Sequence, residues 1–534
     1  MTFAKLTLWA AALSLLSPSL TSAFPVYTFD PSTPPLFPRS TEDSTSNLRQ
    51  CLSSSGGYDQ SYSTSSDYAT LRSSYNPLFD YKPLVIAAPD HEADVSAIVK
   101  CVSAQGGKQK LTPRSGGHSY EAYSLGGQDG SVVIDLRNLN AINVDKASKT
   151  ATVGAGVRLG TLAQKIWDDG KFALPHGTCP MVGVGGHALG GGFGFTTRAW
   201  GFLLDRITSM QMVDKDGNVL TVTKDKNSDL WWGLRGGGAN NFGIVTSFTF
   251  SLESAPKRIL NFTYSYKTNE DCAKAIVALQ QQTLSTDKET GFGPNFGGEL
   301  LIAGEAAGDF NNNACQLSGQ HINTSRASHD HLLTLFHVIA GIKPSNVQVK
   351  PFTSWIESLV DIMGSLDVRG RAGKDHEQFY AKSLVQPLVS TYDYNSALKL
   401  VNKLNGYANL QGTGNSISFD FLGPLSYPAA KANEESSFNA HKAAFISQFY
   451  SYGFPGNDKP EAQKQVHDAY DDLVKTAMAS NEKVEWGAYV NYVDARLDDW
   501  GKAYYGKGLE RLKELKKKWD PENIFDFPQG LAHA

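Results

Sequence analysis

Three glycine-rich segments, at residues 112–120, 183–194 and 235–243, constrain the fold of this chain more than any other feature. In such segments successive backbone N–H groups can point into one concavity and hold a pyrophosphate. A single segment of this kind is most often an ordinary tight turn. Their clustering in one region predicts a long ligand that lies against the backbone.

The second segment also fits the fingerprint of the dinucleotide-binding fold, through Gly183, Gly185 and Ala188, with Asp205 further along the chain. That fingerprint should follow a buried strand, but here it follows the sequence PHGTCP. The consecutive glycines at 190–192 would also weaken the helix that should begin there. The sequence therefore argues against a dinucleotide-binding fold of that type.

The order of strand-like and helix-like runs indicates two regions of different class. From residue 83 to residue 250, β-like runs starting near 84, 131, 150 and 244 alternate with helical stretches at 91–104 and 159–169. This alternation is typical of an α/β region. Beyond about residue 254 the glycine clusters thin out, and a strand-like run followed by a helical pattern indicates an α+β region.

The tail from residue 484 returns to a strand-like run at 484–493. A helix should follow, because Leu509, Leu512, Leu515 and Trp519 are spaced three to four residues apart. With 534 residues and 41% hydrophobic side chains, the chain is long enough for two or three domains. Its net charge of -4 carries no basic surplus, so nucleic acid is not expected as a partner.

The N-terminus has the order of a secretory signal, with Lys5 before an apolar run and small residues up to Ala23. We expect residues 1–23 to be removed, and the Ser-, Thr- and Pro-rich residues 24–66 to form a poorly ordered arm. No later run approaches the roughly 20 apolar residues of a membrane helix, so a soluble, secreted protein without a membrane partner is predicted. Asn261 and Asn323 begin glycosylation tripeptides.

Five cysteines in a secreted chain leave one without a partner, because oxidising compartments favour pairs. Cys51 and Cys101 could close one bridge, and Cys272 and Cys315 another. Cys179 is then the odd cysteine, and it lies among glycines. Its position suggests a special role for this thiol.

Four motifs occur in order along the chain: Gly116-Gly-His-Ser-Tyr120, His176-Gly-Thr-Cys-Pro180, the run LRGGG at 234–238 and Asn491-Tyr-Val-Asp494. Through them the chain resembles, from about residue 40 to residue 529, the flavin oxidases of the vanillyl-alcohol-oxidase type. It is most similar to the berberine-bridge-enzyme-like branch, which includes fungal glucooligosaccharide and chitooligosaccharide oxidases.

The resemblance implies an α+β fold with two domains. Residues 67–254 would form an α/β FAD-binding domain of the vanillyl-alcohol-oxidase type, which the C-terminal segment at 484–534 completes. Residues 255–483 would form an inserted α+β substrate domain. The antiparallel sheet of that domain would be the roof over the isoalloxazine ring.

The resemblance also implies FAD attached at two points, with His118 bonded to the flavin 8α-methyl group and Cys179 bonded to C6. A neutral imidazole and a thiolate are nucleophilic enough to capture an electrophilic flavin, and the links should raise its potential. Val182 would lie near the oxygen-reacting face, where valine resembles the oxidases, so dioxygen is the expected acceptor. The other implied cofactor contacts are Arg114, Ser115, Gly116, Gly117, Ser119, Gly183, Gly185, Gly186, His187, Gly190, Gly243, Ile244 and Asn491.

Tyr492 matches the catalytic tyrosine of the family, which takes the proton of the substrate O–H while hydride leaves for the flavin. A free phenol has a pKa near 10 and needs help to act as a base. Asp420 matches the helper, placed to accept a hydrogen bond from the phenol. As a bare charge, however, Asp420 would raise the pKa of the tyrosine.

Tyr120 and Gln448 match residues that contact the substrate in the sugar oxidases. Ser418 departs from them, because those enzymes carry a glutamine two residues before the aspartate. Losing a polar contact at this position could cost about 1–3 kcal/mol of sugar binding.

The predicted function is therefore oxidation of the anomeric hydroxyl of an oligosaccharide to a lactone, with O2 reduced to H2O2, by a secreted monomer without a metal. One alternative is oxidation of a secondary-metabolite alcohol or alkaloid, because the same fold hosts that chemistry and Ser418 departs from the sugar pattern. The other is a non-catalytic secreted protein that binds flavin.

Overall fold

The computed structural model describes residues 42–304, 313–368, 376–427 and 436–534. The predicted signal peptide at 1–23 and the first part of the predicted arm lie outside the described residues. Within these ranges no helix is both long and apolar enough to cross a membrane.

The first half of the chain builds two main sheets. Strands β2, β3 and β4 form a parallel group with β1 antiparallel at one edge, and β5-β6-β10-β8-β9 form an antiparallel sheet. The four predicted β-runs are confirmed by β2, β4, β6 and β10. The strands are β1 (Asp59–Ser61), β2 (Val85–Ala88), β3 (Leu111–Arg114), β4 (Val132–Asp135), β5 (Ile142–Asp145), β6 (Thr150–Gly154), β7 (Phe172–Ala173), β8 (Ile207–Val213), β9 (Val219–Val222), β10 (Ile244–Ser251) and β11 (Glu253–Ser254).

Helices connect and cover these strands, as the alternation of the sequence indicated. The two predicted helices correspond to α3, in which the Asp94 carboxylate accepts from the His91 N–H at the N-terminus, and α4. The helices of this half are α1 (Glu42–Ser54), α2 (Tyr68–Leu71), α3 (Glu92–Ser103), α4 (Leu159–Gly170), α5 (Val184–Leu189), α6 (Thr197–Trp200) and α7 (Ser228–Leu234).

The second half contains one antiparallel sheet with the strand order β15-β12-β14-β13-β17-β18-β16. Its strands are β12 (Ile259–Tyr266), β13 (Phe296–Ala303), β14 (Cys315–Ile322), β15 (Asn346–Phe352), β16 (Phe379–Pro387), β17 (Gly414–Phe421) and β18 (Ala443–Tyr452). The remaining helices are α8 (Asn269–Leu284), α9 (Arg326–Ala340), α10 (Trp355–Met363), α11 (Tyr394–Gly406), α12 (Pro460–Met478), α13 (Trp500–Tyr505) and α14 (Leu509–Trp519). The chain is therefore an α+β protein with a large antiparallel sheet, as predicted.

The two faces of this sheet differ in chemistry because side chains alternate along each strand. In β17, Ile417, Phe419 and Phe421 enter a buried core with residues of α8, α9, α11 and α12. Between them, Ser418 and Asp420 point to the opposite face. At β17 the sheet thus has an apolar face against helices and a polar opposite face, and at β12 that opposite face contacts α10 through Ile259 and Asn261.

The tail packs into the core of the first half. The Leu111 N–H donates to the Ile524 carbonyl oxygen at 2.9 Å, and Phe525, Leu512 and Leu515 lie in the same hydrophobic core as β3 and β10. The predicted helix with leucines on one face is confirmed by α14. This packing places the tail against the parallel strands of the first half.

Two sequence predictions differ from the structure. Residues 42–54 of the predicted arm form α1, whose Leu48 and Leu52 are buried because they lie on one helix face and Cys51 ties that helix to α3. The strand predicted at 484–493 is wrong. Only Gly487 makes a β-bridge, to Val385, and the backbone then turns so that the Tyr492 N–H donates to the Tyr489 carbonyl oxygen at 2.9 Å.

Both proposed disulfides, Cys51–Cys101 and Cys272–Cys315, are present, and Cys179 belongs to neither. The two glycosylation tripeptides have different environments. Asn261 is buried and its Nδ2 donates to the Ser358 carbonyl oxygen at 2.8 Å, so the folded chain does not offer it to a glycosyltransferase. Asn323 is exposed.

Candidate active site

A cavity of about 430 Å³ lies where the glycine-rich segments, the tail and the polar face of the large sheet meet. All three glycine-rich segments contribute to its wall. The predicted site residues that line it are Ser115, Gly116, Gly117, His118, Ser119, Tyr120, Cys179, Val182, Gly183, Gly185, Gly186, His187, Gly243, Gln448, Asn491 and Tyr492.

Direct backbone contact joins the first two glycine-rich segments. A Cβ added at Gly116 would lie 2.2 Å from the Gly183 nitrogen, so neither position tolerates a side chain. The Ser115 hydroxyl accepts from the Gly185 N–H at 3.2 Å and donates to the Ala155 carbonyl oxygen at 2.5 Å. These contacts hold both loops against one wall of the cavity.

His118 stacks on Tyr75, with the ring centroids 4.0 Å apart and 25° between the planes. Tyr75 in turn donates a hydrogen bond from its hydroxyl to Glu377 at 2.9 Å. The imidazole of His118 is therefore held in a fixed plane at the cavity wall.

Cys179 is exposed and lies on a loop that His187 anchors. The Gly177 N–H donates to His187 Nε2 at 3.1 Å. Burial, with a smaller contribution from His176, lowers the pKa of His187 to about 3. The ring therefore stays neutral and keeps an acceptor nitrogen for the loop that presents the Cys179 thiol.

Tyr492 lies on the turn of the tail among other aromatic rings. It stacks on Tyr120, with centroids 5.6 Å apart and 8° between planes, and packs edge-on against Tyr489 and Phe193. Gln448 Nε2 donates to the Tyr120 hydroxyl at 2.8 Å. The turn and the sheet thus present Tyr492, Tyr120 and Gln448 to one end of the cavity.

Asp420 belongs to the polar face of the sheet and lies directly opposite Glu299 of β13. Burial and the charge of Glu299 raise the pKa of Asp420 well above its usual value, while burial raises the pKa of Glu299 to about 7. Burial, Tyr120 and Asp420 raise the pKa of Tyr492 well above 10. The Tyr492 phenol is therefore neutral at ordinary pH.

The predicted hydrogen bond between Tyr492 and Asp420 does not form among the residues that the structure describes. Asp420 instead accepts from the Ser418 hydroxyl at 3.4 Å. The physical reason is that the tail forms a turn rather than a strand, so Tyr492 packs on Tyr120. The interaction between Asp420 and Tyr492 is electrostatic, and the ionised form of Asp420 raises the pKa of the phenol.

Three predicted cofactor contacts lie away from the cavity. The Arg114 side chain lies against Gly117, where an added Cβ would be 2.9 Å from its Nε, and donates to the carbonyl oxygens of Leu71 and Ser73, so it supports the glycine loop without lining the cavity. Ile244 is fully buried in the core, and its strand neighbour Val245 lines the cavity instead. Gly190 makes room for Asn491, since a Cβ there would lie 2.1 Å from the Asn491 Oδ1.

Ser418 is buried on the polar face, directly opposite Gln448. The sequence identified this departure. In the structure the Ser418 hydroxyl donates to Asp420, and Ser418 does not line the cavity. Sequence reasoning missed Glu299, which stands in the unremarkable run FGGELL, and Tyr75, which stands in a polar stretch. No local motif marks either residue, because each is brought to the site by distant pairing.

The cavity fits FAD. Backbone N–H groups of glycine loops can hold a pyrophosphate, and at Gly186 a side chain would project into open space, with no atom within 4 Å of an added Cβ. His118 and Cys179, the two nucleophiles, line the same cavity. Its wall therefore suits a long ligand with a reactive ring at the Tyr492 end.

Fold and site together define an FAD-dependent oxidoreductase. Residues 83–223 match the family model described as FAD binding domain, and residues 488–532 match the model described as berberine and berberine like.

Proteins that are similar to this chain belong to the same class. The xylooligosaccharide oxidase of Thermothelomyces thermophilus is 30% identical over 88% of this chain and 91% of its own length. The glucooligosaccharide oxidase of Sarocladium strictum is 31% identical over 84% and 87%. A solved structure of glucooligosaccharide oxidase from Acremonium strictum, with 6-S-cysteinyl, 8α-N1-histidyl FAD, has a TM-score of 0.80 at 28% identity, covering 91% of this chain and 99% of that one. The chain belongs to the berberine-bridge-enzyme-like branch of the vanillyl-alcohol-oxidase family.

Proposed function

We propose that this chain is a secreted oxidase that converts the anomeric hydroxyl of an oligosaccharide into a lactone and reduces O2 to H2O2. The observation that carries the proposal is the meeting of Tyr492, Tyr120 and Gln448 at the cavity whose wall also holds His118 and Cys179. A hydroxyl of the substrate placed there can reach both a phenol and an amide.

Two covalent bonds to FAD, from His118 and Cys179, are part of the proposal. Support comes from the fixed plane of His118 on Tyr75 and from the exposed Cys179 thiol on its anchored loop. The related glucooligosaccharide oxidase with a 6-S-cysteinyl, 8α-N1-histidyl FAD uses the same pair of residue types. Bound FAD supplies the acceptor for the hydride of the substrate carbon.

Tyr492 accepts the substrate O–H proton at its Oη. Because the Tyr492 phenol is neutral, it accepts that proton only as its own phenolic proton passes to a carboxylate, and the proposed acceptor is Asp420, which interacts electrostatically with Tyr492. Tyr120 keeps the Tyr492 ring in place by stacking, and Gln448 orients Tyr120. Tyr120 and Gln448 thus orient the Tyr492 phenol, and Tyr492 moves one proton.

Secretion is supported by the sequence of residues 1–23 and by the two disulfides, since disulfides persist in oxidising compartments. Val182 on the cavity wall supports dioxygen as the electron acceptor. An N-terminal sequence of the purified extracellular protein tests the first point. Peroxide release in air during turnover tests the second.

Ser418 favours a second candidate, an oxidase of a secondary-metabolite alcohol. Its side chain is short, buried and engaged with Asp420, so it offers no amide to a sugar hydroxyl. Anaerobic bleaching of the flavin by a panel of xylo-, gluco- and chitooligosaccharides, compared with aromatic alcohols, separates the two. Bleaching by the sugars supports the proposal, and bleaching by the alcohols alone contradicts it.

The flavin bonds are tested by acid precipitation of the purified holoenzyme. We expect the yellow colour to stay in the pellet for wild type, for His118→Ala and for Cys179→Ser, and to appear in the supernatant for the double variant. Colour released from wild type would show that the flavin is held without a covalent bond.

A further inference from the structure

Glu299 and Asp420 form a pair of facing carboxyl groups at the polar face of the large sheet. They are direct cross-strand partners in the register of β13 and β17. The residues next to them, Leu300, Phe419 and Phe421, are in the core, so both carboxyl groups point to the other face. Directly opposite residues of antiparallel strands have Cβ atoms about 4.5–5.5 Å apart.

No cation among the described residues neutralises the charge of this pair. Neither Glu299 nor Asp420 forms a salt bridge within the described part of the chain, and Asp420 accepts a hydrogen bond from the Ser418 hydroxyl at 3.4 Å. The ionisable groups that face it are tyrosines. Asp420 acts on Tyr489 and Tyr492 of the tail, and Glu299 acts on Tyr492 and on Tyr452 of β18.

The flanking strands add no charge. Ser318 of β14 is opposite Glu299, and Ile446 of β18 is opposite Asp420. Two carboxylates this close, partly removed from water and with no cation beside them among the described residues, cannot both ionise cheaply. Such a pair titrates as one unit with two macroscopic steps.

We propose that Glu299 and Asp420 hold one proton between them, which makes Glu299 a positioning residue that sets the charge Asp420 presents to Tyr492. The inference rests on the proposed function, in which Tyr492 passes a proton on. With one proton in the pair, one carboxylate is available to accept the proton that Tyr492 releases. With both groups protonated, Tyr492 has no acceptor beside it.

The direct test is infrared spectroscopy of the holoenzyme between about pH 5 and 9, where a protonated carboxyl group gives its own C=O band. We expect a band that titrates in wild type. In Glu299→Gln its midpoint falls by about 1–2 pH units, because Asp420 loses the like charge beside it. Asp420→Asn should lower the midpoint for Glu299 in the same way, and Glu299→Asp should restore most of the coupling.

Ser318→Ala is the matched control, because it changes the other neighbour of Glu299 without changing charge. An unchanged midpoint in both carboxyl variants would overturn the inference. Flavin absorbance and a melting curve establish that each variant is folded. This readout needs no substrate, so a shifted midpoint with no sugar oxidised would leave the pairing intact and contradict the proposed function.

Once a donor that the enzyme oxidises has been identified, the pH dependence of the rate of anaerobic flavin reduction by that donor adds a second readout. The acid limb of kcat/KM should move to lower pH in Glu299→Gln, by the same shift as the infrared midpoint. A higher KM with no shift of the acid limb of kcat/KM would mean that Glu299 only shapes the cavity. That result would also overturn the inference.

Discussion

Tyr120 and Tyr492 stack nearly parallel, with ring centroids 5.6 Å apart and 8° between their planes, although Tyr120 ends the first glycine-rich segment and Tyr492 lies in the tail. Gln448 of the large sheet donates to the Tyr120 hydroxyl at 2.8 Å. Three parts of the chain that are distant in sequence therefore contact one another around the Tyr492 phenol. The position of Tyr492 depends on all of them.

Replacing Tyr492 with Phe should lower the rate of flavin reduction about 10²–10⁴-fold, the range that one acid–base group contributes. The ring would still stack on Tyr120, so KM should change little. Anaerobic stopped-flow reduction by the best donor measures the rate. A phenylalanine variant that reduces its flavin at the wild-type rate would remove Tyr492 from the reaction.

Replacing Gln448 with Ala should raise KM about 3–10-fold, since a neutral hydrogen bond is worth about 1 kcal/mol. Tyr120→Phe removes the other partner of the same bond. The double variant should therefore lose less than the product of the two single losses. Strictly multiplicative effects on kcat/KM would show that the two side chains act independently.

Replacing His187 with Ala should lower the fraction of flavin bonded to Cys179. The Gly177 N–H loses its acceptor, and the loop that presents the thiol becomes less ordered. Mass spectrometry of tryptic peptides measures each bond separately. The flavin peptide of His118 is the internal control and should stay fully modified, so equal loss of both bonds would point to general misfolding instead.

Acid should destabilise the protein through buried histidines behind the sheet. His329 Nδ1 lies 3.2 Å from His321 Nδ1, and its Nε2 lies 3.1 Å from the Tyr264 hydroxyl. Burial, with its like-charged neighbour His329, lowers the pKa of His321 to about 3, and burial lowers that of His329 to about 4. Both pKa values lie below the unfolded value of about 6.5.

Because the unfolded chain binds more protons in this window, stability is complete above about pH 6.5 and falls as the pH drops toward 4. At pH 5 each histidine should cost about 2 kcal/mol of unfolding free energy. Denaturant melts at pH 7 and pH 5 measure the loss. His329→Gln should flatten this dependence, whereas His331→Gln, an exposed change on the same helix, should keep the wild-type slope.

Much of the site could be predicted from the sequence because its chemistry lies in short contiguous motifs. The His118 and Cys179 motifs each combine a nucleophile with glycines, and the tail motif carries Tyr492. The cysteine count singled out Cys179, and both disulfide pairs were as suggested. Strands and helices with clear periodicity were also predicted where they occur.

Other features could not be predicted because they depend on pairing between distant segments. The period-2 pattern of β17 puts Asp420 on the polar face, but only the register with β13 puts Glu299 opposite it. The tail carries a strand-like pattern at 484–493, yet it pairs with β16 only at Gly487 and then turns. That turn is why Tyr492 stacks on Tyr120 instead of donating to Asp420.

The sequence by itself determined the glycine-rich wall and pointed to His118, Cys179 and Tyr492, which line the same cavity, because local chain geometry and side-chain chemistry mark these short motifs. The tertiary structure alone decided which groups surround that phenol, and so its charge environment. The physical reason is that strand register and the docking of the tail are long-range choices. They depend on which buried surfaces fit together, and no single segment encodes that fit.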